Sequence, residues 1–182
     1  MRRTGLAVVG GATTLAMIVP SAAYADTTGD TIVTFTVTAG TLDITVPAPA
    51  NLGSGSPGTN VTGQMGPVTV TDLRGALTAT WTTTVSSTDF TTGGGTTPET
   101  IGKAAVSYWS GPATATTGVG TFTPGQLTSA QAQDLSAART AFTLTAGVGN
   151  NTATWNPTLI AAVPAAAVAG LYTGTVTHSV AP

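Results

Sequence analysis

The sequence predicts an all-β protein, an immunoglobulin-like antiparallel β-sandwich of about seven to nine strands. Three observations support this fold class. Apolar and polar residues alternate in short runs, which is the pattern of strands with one buried face. Glycine- and proline-rich stretches separate these runs, as turns do. Threonine, a β-branched residue favoured in strands, occurs 38 times among residues 26–182.

The central element of this prediction is residues 68–85, VTVTDLRGALTATWTTTV. The apolar faces of its two alternating runs hold Val68 and Val70, then Leu77, Ala79, Trp81, Thr83 and Val85. The residues between them are mostly threonine, which suits the solvent-facing side of a strand. We expect two half-buried strands that meet at the charged corner Asp72-x-Arg74-Gly75, with the large ring of Trp81 in the core.

Asp72 and Arg74 lie two residues apart and therefore on one face of a strand. Two roles are open to them: a local ion pair that fixes the corner, or recognition of a charged group on a ligand. We favour the ion pair, because the opposite charges are already within reach of each other.

Residues 1–25 have the organisation of a secretory signal peptide. Arg2 and Arg3 give a positive start, and residues 6–19 are apolar. Ala23 and Ala25 are small residues at the two positions that a signal peptidase reads, so cleavage is expected after Ala25. The apolar stretch is short for a membrane span. We expect a secreted protein, extracellular or associated with the cell wall, whose mature chain of residues 26–182 forms one domain without a membrane span.

The charge and cysteine content of residues 26–182 narrows the possible chemistry. Once Arg2 and Arg3 are removed, seven acidic residues stand against three basic ones, and the net charge of −4 argues against nucleic acid as a partner. The chain has no cysteine, which excludes disulfides, a thiol nucleophile and a zinc–thiolate site. Stability must therefore come from strand pairing and core packing.

Further strands are predicted on both sides of the central element. Their residues are 31–37, 42–46, 104–109, 121–123, 140–146, 153–163 and 171–180. The first places Val33, Phe35 and Val37 on one of its faces. The last places Tyr172 and His178 together on one of its own faces. Loops are expected at residues 51–63, 91–99 and 147–151, and residues 129–139 are expected to be a short helix or irregular, capped by residue 128 or 129.

Two of these motifs together resemble a known family. Val70-x-Asp72-x-Arg74-Gly75 followed by Trp81, with a terminal strand introduced by Gly170-x-Tyr172, is similar to the WxL domain of Gram-positive surface proteins. The resemblance covers residues 31–180. Both Trp-x-Leu motifs are degenerate, since they occur as Trp-Thr-Thr at residues 81–83 and His-Ser-Val at residues 178–180.

The resemblance implies a β-sandwich that binds peptidoglycan noncovalently and works beside companion surface proteins. Independently of the family, Gly170-x-Tyr172 before the last strand is similar to the tyrosine corner of immunoglobulin-like domains.

No combination of residues in the sequence predicts catalysis, a metal site or a cofactor. His178 is the single histidine, and its position on the apolar face of the last predicted strand favours a structural role. The acidic residues are scattered singly, without the pair that glycoside hydrolysis needs, and there is no Gly-x-Ser-x-Gly elbow. A G-x-G-x-x-G match at residues 53–58 lacks the following helix of a nucleotide-binding fold. We expect a non-enzymatic protein.

The candidate glycan-binding residues are Tyr108, Trp109, Asn150, Asn151 and Trp155. Adjacent Tyr108 and Trp109 must point to opposite faces of a strand, which leaves one aromatic ring free to stack on a sugar. Asn150 and Asn151 lie near Trp155 and can both donate and accept hydrogen bonds with hydroxyl groups. The alternative role for these residues is core packing and turn formation.

These observations predict a non-enzymatic cell-surface protein that associates with the cell wall through peptidoglycan or another wall glycan. The alternative is a structural or assembly module that pairs through sheet edges with a partner surface protein or with itself.

Overall fold

The computed structural model describes residues 29–182, so the predicted signal peptide lies outside the described residues. The chain divides into two units, Met1–Thr36 and Val37–Pro182. In the first unit, the described residues 29–36 form no strand or helix and are exposed to solvent. The folded body described below is therefore Val37–Pro182.

Val37–Pro182 is an all-β sandwich, as the sequence predicts. Eight of its strands have four or more residues: β1 (Leu42–Thr45), β2 (Asn60–Gln64), β3 (Val68–Ser87), β6 (Val106–Trp109), β7 (Ala113–Pro124), β9 (Arg139–Trp155), β10 (Thr158–Ala162) and β11 (Val176–Ala181). Three strands have two residues: β4 (Phe90–Thr91), β5 (Thr100–Ile101) and β8 (Gln133–Asp134). The helices of this unit are three short 3₁₀ turns, Thr97–Glu99, Lys103–Ala105 and Ser129–Gln131.

Two antiparallel sheets form the layers of the sandwich. The five-stranded sheet has the order β1-β3-β9-β7, and β11 pairs with the second half of β3 on the side where β1 pairs with the first half. The four-stranded sheet has the order β2-β10-β6-β8. Strands β4 and β5 pair with each other as a short separate ribbon.

The core lies between the inner faces of these two sheets. Its largest fully buried side chains are Trp81, Trp155, Tyr108, Phe142, Leu135 and Leu144. The rings of Phe142 and Trp155 stack with their centroids 4.8 Å apart, and Trp81 lies 6.4 Å from Phe142. The prediction that Trp81 belongs to the core is confirmed, together with Val68, Val70 and Val85.

The central element is one strand of 20 residues, and the prediction of two strands was wrong. Both halves of β3 pair with the same partner, β9, and the register shifts between Asp72 and Trp81 absorb the irregularity. Gly75 lies in this stretch with a φ of +63°, a conformation that glycine adopts without strain. Leu77 falls among the register shifts and is 82% exposed, so its predicted place on the buried face was also wrong.

Strand β9 shows the same behaviour. The sequence predicts a strand over residues 140–146 that ends at a Gly-Val-Gly-Asn-Asn loop, but β9 runs without interruption to Trp155. Positive φ angles at Ala146 and Gly149 place a local distortion inside the strand where a turn was expected. Strand β7 is likewise longer than the predicted residues 121–123.

The strand predicted for residues 31–37 is not formed. Val33, Phe35 and Val37 are 79%, 86% and 81% exposed, and Ile32 is 92% exposed. Alternation gives a segment two distinct faces, but a strand also needs a ladder partner, and the paired strand begins only at Leu42.

Two local predictions near the C-terminus can be compared with the structure. Residues 129–139 contain a single 3₁₀ turn, Ser129–Gln131. The side-chain oxygen of Gln131 accepts a hydrogen bond from the backbone N–H of Thr128 and so caps the start of this turn. The last strand begins at Val176 rather than at residue 171. Before it, the Tyr172 hydroxyl lies 2.9 Å from the Val168 carbonyl oxygen and 3.1 Å from that of Pro98, the backbone contact expected of a tyrosine corner.

Candidate glycan-binding face

Three of the five predicted glycan contacts are core residues. Tyr108 and Trp155 are 0% exposed and Asn151 is 1% exposed. A ring that stacks on a sugar must present its face to solvent, and these side chains cannot do so without leaving the core. Their predicted role as surface contacts is therefore corrected to core packing.

Tyr108 and Trp155 belong to a buried hydrogen-bonded group with His178. The indole N–H of Trp155 donates to the Tyr108 hydroxyl at 3.2 Å, and that hydroxyl lies 3.1 Å from Nε2 of His178. Burial raises the pKa of Tyr108 and lowers the pKa of His178 to about 4. Both side chains are therefore neutral at neutral pH, and the structural position expected for His178 is observed.

Asn151 belongs to a second buried group, which crosses from β9 to β3. Its side-chain oxygen accepts a hydrogen bond from the Trp81 indole at 2.8 Å, and its amide nitrogen donates to Asp72 at 3.3 Å. Arg74 donates hydrogen bonds to the same carboxylate from Nε and Nη2, each at 2.8 Å. The hydrogen bonds from Arg74 hold the pKa of Asp72 below its ordinary value. The predicted ion pair is confirmed. It forms part of the same hydrogen-bonded group as Asn151 and Trp81.

The remaining two candidates are accessible but lie on different sheets. Trp109 is half-buried on β6 of the four-stranded sheet and points away from the core, since its neighbour Tyr108 points inward. Asn150 is exposed on β9 of the five-stranded sheet, and it too alternates with an inward neighbour. The structure therefore does not bring these two side chains into one site.

A different surface, on the outer side of the five-stranded sheet, carries an ordered set of hydroxyl groups. The strand register brings threonines opposite one another in four cross-strand rows, and none of them is buried. The rows are Thr45–Thr69–Thr154, Thr71–Thr152–Thr117, Thr82–Thr143–Thr123 and Thr84–Thr140. We call these residues the threonine face.

The threonine face points outward because the residues between its members point inward. Val68, Val70, Trp81 and Val85 alternate with its β3 members and are fully or almost fully buried. Neighbouring strands lie about 4.8 Å apart, and successive outward residues of one strand about 6.6 Å apart, so the hydroxyls form a repeating grid. Each hydroxyl can donate one hydrogen bond and accept two. Between Thr69 and Thr154 the two hydroxyl oxygens are 2.9 Å apart.

An exposed apolar patch lies between the two pairs of threonine rows. Val119 and Val148 are opposite each other in the β7–β9 register and are 63% and 47% exposed. Leu73 and Leu77, on the adjoining stretch of β3, are 47% and 82% exposed. The outer side of this sheet therefore combines hydroxyl rows with apolar side chains, the two kinds of contact that a sugar ring offers with its hydroxyls and its C–H groups.

The alternation in β3 predicts that the threonines between its inward-facing residues face solvent, but it does not predict the rows. Rows require threonines on β7 and β9 at matching register positions. A signal was available in the sequence, because residues 143, 145, 152 and 154 repeat threonine at a spacing of two. The pairing of those residues with β3 is a long-range property that local alternation does not encode.

No family model, curated protein or solved structure was found to match this chain. Within residues 29–182, histidine and acidic side chains do not gather in a group of three or more that could hold a metal ion. The same residues include no helix long and apolar enough to cross a membrane.

Proposed function

We propose that the protein is a secreted, non-enzymatic cell-surface protein that associates noncovalently with the cell wall, and that the threonine face binds peptidoglycan or another wall glycan. The observation that carries the proposal is the set of four threonine rows on one outer sheet surface. The signal-peptide pattern of residues 1–25 and the resemblance to the WxL family give it further support.

The chemistry of this face suits a neutral, repeating polymer. A polysaccharide presents hydroxyls at regular intervals, and a grid of threonine hydroxyls can pair with them as donors and as acceptors. Each hydrogen bond contributes little by itself, but many of them along one polymer chain act together. The rows contain no basic side chain, so binding should depend only weakly on salt.

The test removes hydroxyls without changing the shape of the strand. Thr82→Val combined with Thr143→Val deletes two paired hydroxyls from the third row. At about 0.5–1.5 kcal/mol for each hydrogen bond, the double variant should bind isolated sacculi roughly 5- to 150-fold more weakly. The matched control is Thr62→Val with Thr97→Val, which changes two exposed threonines outside the five-stranded sheet and should bind as the unaltered chain does.

Equal binding by the two double variants would exclude the threonine face as the glycan contact. The accessible predicted residues are then tested directly. Trp109→Ala or Asn150→Ala proteins with reduced binding, and with unchanged circular dichroism spectra, would move the contact to those side chains. Unchanged binding by these variants as well would exclude the threonine face, Trp109 and Asn150 as glycan contacts.

A further inference from the structure

The N-terminal segment of the described chain has exposed apolar side chains. Residues 31–37 alternate, with Val33, Phe35 and Val37 on one side and threonines at positions 34 and 36 on the other. The three apolar side chains are between 79% and 86% exposed. In an extended conformation they form a row about 13 Å long. Contiguous exposed apolar side chains are typical of surfaces that bind a partner.

The folded body contains an apolar groove with a volume of about 680 Å³. It lies between the loop that precedes β2, the β4–β5 ribbon and residues 168–174. Its apolar lining includes Leu52, Val61, Phe90, Ile101, Val163 and Leu171. Among the described residues, no charged side chain lines it. Ile101 is buried in the core, whereas Leu171 is 85% exposed at the rim, so the groove leads from solvent towards the interior.

We propose that Val33, Phe35 and Val37 of one copy insert into this groove of a second copy. The row and the groove match in chemistry, because both are apolar and neither carries a charge. They also match in size, because a groove of this volume lies in the range that holds a small apolar ligand or a few side chains. Extended segments commonly bind folded β domains in this way, with alternate side chains entering pockets.

A second copy is the occupant because each chain carries both halves of the contact. If cleavage follows residue 25, only five residues precede position 31, so the inserting segment lies close to a free chain end. Insertion of one chain's segment into the next chain's groove is a head-to-tail contact, which generates rings or filaments. The inference goes beyond wall association, since it concerns contacts between copies and uses neither the threonine face nor Trp109.

The test alters the inserting segment and the groove one at a time, with two single substitutions in the chain of residues 26–182. Phe35→Glu places a charge in the middle of the apolar row, and Leu171→Glu places one at the exposed rim of the groove. Thr34→Glu is the matched control, because it adds the same charge to the other side of the segment. Molecular mass is measured by light scattering over a range of protein concentrations.

The unaltered chain should increase in mass with concentration, and the Thr34→Glu control should do the same. The Phe35→Glu and Leu171→Glu proteins should each associate at least tenfold more weakly. A mixture of these two variants should form dimers and nothing larger, because one supplies only an intact groove and the other only an intact segment.

Three results would overturn the inference. They are a strict monomer of the unaltered chain at every concentration, equal effects of Thr34→Glu and Phe35→Glu, and a mixture of the two variants that stays monomeric. A monomer in which the segment resists proteolysis would indicate that the groove binds its own chain. Sacculus binding by the Phe35→Glu monomer is measured separately, so the failure of assembly and the failure of wall association remain distinguishable.

Discussion

The pair of Asp72 and Arg74 gives the most quantitative prediction. The Asp72 side chain is fully buried, and Arg74 contacts its two oxygens at 2.8 Å while also donating from Nη2 to the Thr80 carbonyl at 2.8 Å. Arg74→Met keeps the aliphatic stem but removes every one of these donors. The carboxylate then keeps its hydrogen bonds from the Asn151 side chain and from the backbone N–H of residue 74.

The expected cost follows from this geometry. Removing one partner of a buried ion pair lowers the free energy of unfolding by about 3–5 kcal/mol, because an uncompensated charge remains inside. The lower end applies here, about 3 kcal/mol, since the Arg74 side chain is 24% exposed and solvent approaches the site. Arg139→Met is the control, because its partner Asp134 lies in a more exposed pair, and its effect should be clearly smaller.

The assay is urea unfolding followed by tryptophan fluorescence at several pH values. In the unaltered protein the lowered pKa of Asp72 contributes stability above the ordinary carboxyl pKa of about 3.9, and this contribution is lost as the pH falls through the folded-state pKa. In the variant, loss of the Arg74 side-chain hydrogen bonds raises the pKa of Asp72 relative to its value in the unaltered protein. The stability difference between the two proteins should therefore shrink below about pH 4. A difference that is small at pH 7, or that grows in acid, would refute this account.

Three further predictions concern the core and the strand register. Burial lowers the pKa of His178 to about 4, so the free energy of unfolding should fall by about 3 kcal/mol between pH 6.5 and 4, and His178→Phe should remove this slope. Tyr108→Phe leaves the Trp155 indole N–H without its acceptor and should cost about 1–3 kcal/mol in urea unfolding; no change would contradict the buried group. Gly118→Ala should lower the melting temperature far more than Gly53→Ala. Both glycines have a positive φ, but only the Cβ added at position 118 would overlap the neighbouring strand β9. Equal effects of the two substitutions would contradict the position of β7 beside β9.

Local alternation was sufficient to predict much of the sandwich. It placed Trp81, Val68 and Val85 in the core because a period of two divides inward from outward residues without any knowledge of the partner strand. The ion pair of Asp72 and Arg74 was predictable for the same reason, since both residues lie on one short stretch of chain.

The errors occur where pairing over long distances decides the outcome. Leu77 follows the alternation of β3 but lies among register shifts, which turn it to solvent. Glycines at positions 147 and 149 predict a turn, yet β9 continues because it has β3 on one side and β7 on the other. Residues 31–37 have the pattern of a strand but no ladder in the described structure.

The candidate site was less predictable than the core. Alternation showed that Tyr108 and Trp109 face opposite ways, but the choice of the inward residue depends on what β6 packs against. The threonine rows could not be predicted for a similar reason, because each row combines residues that are far apart in sequence, such as Thr71 and Thr152.

The function proposed for this chain is association with the cell wall. The most direct measurement is a binding isotherm of purified residues 26–182 on isolated peptidoglycan sacculi, prepared with and without their attached wall polymers. We expect saturable binding to at least one preparation, with an affinity that changes little with salt, and the comparison of the two preparations shows which polymer is bound. Absence of saturable binding to both preparations would contradict wall association.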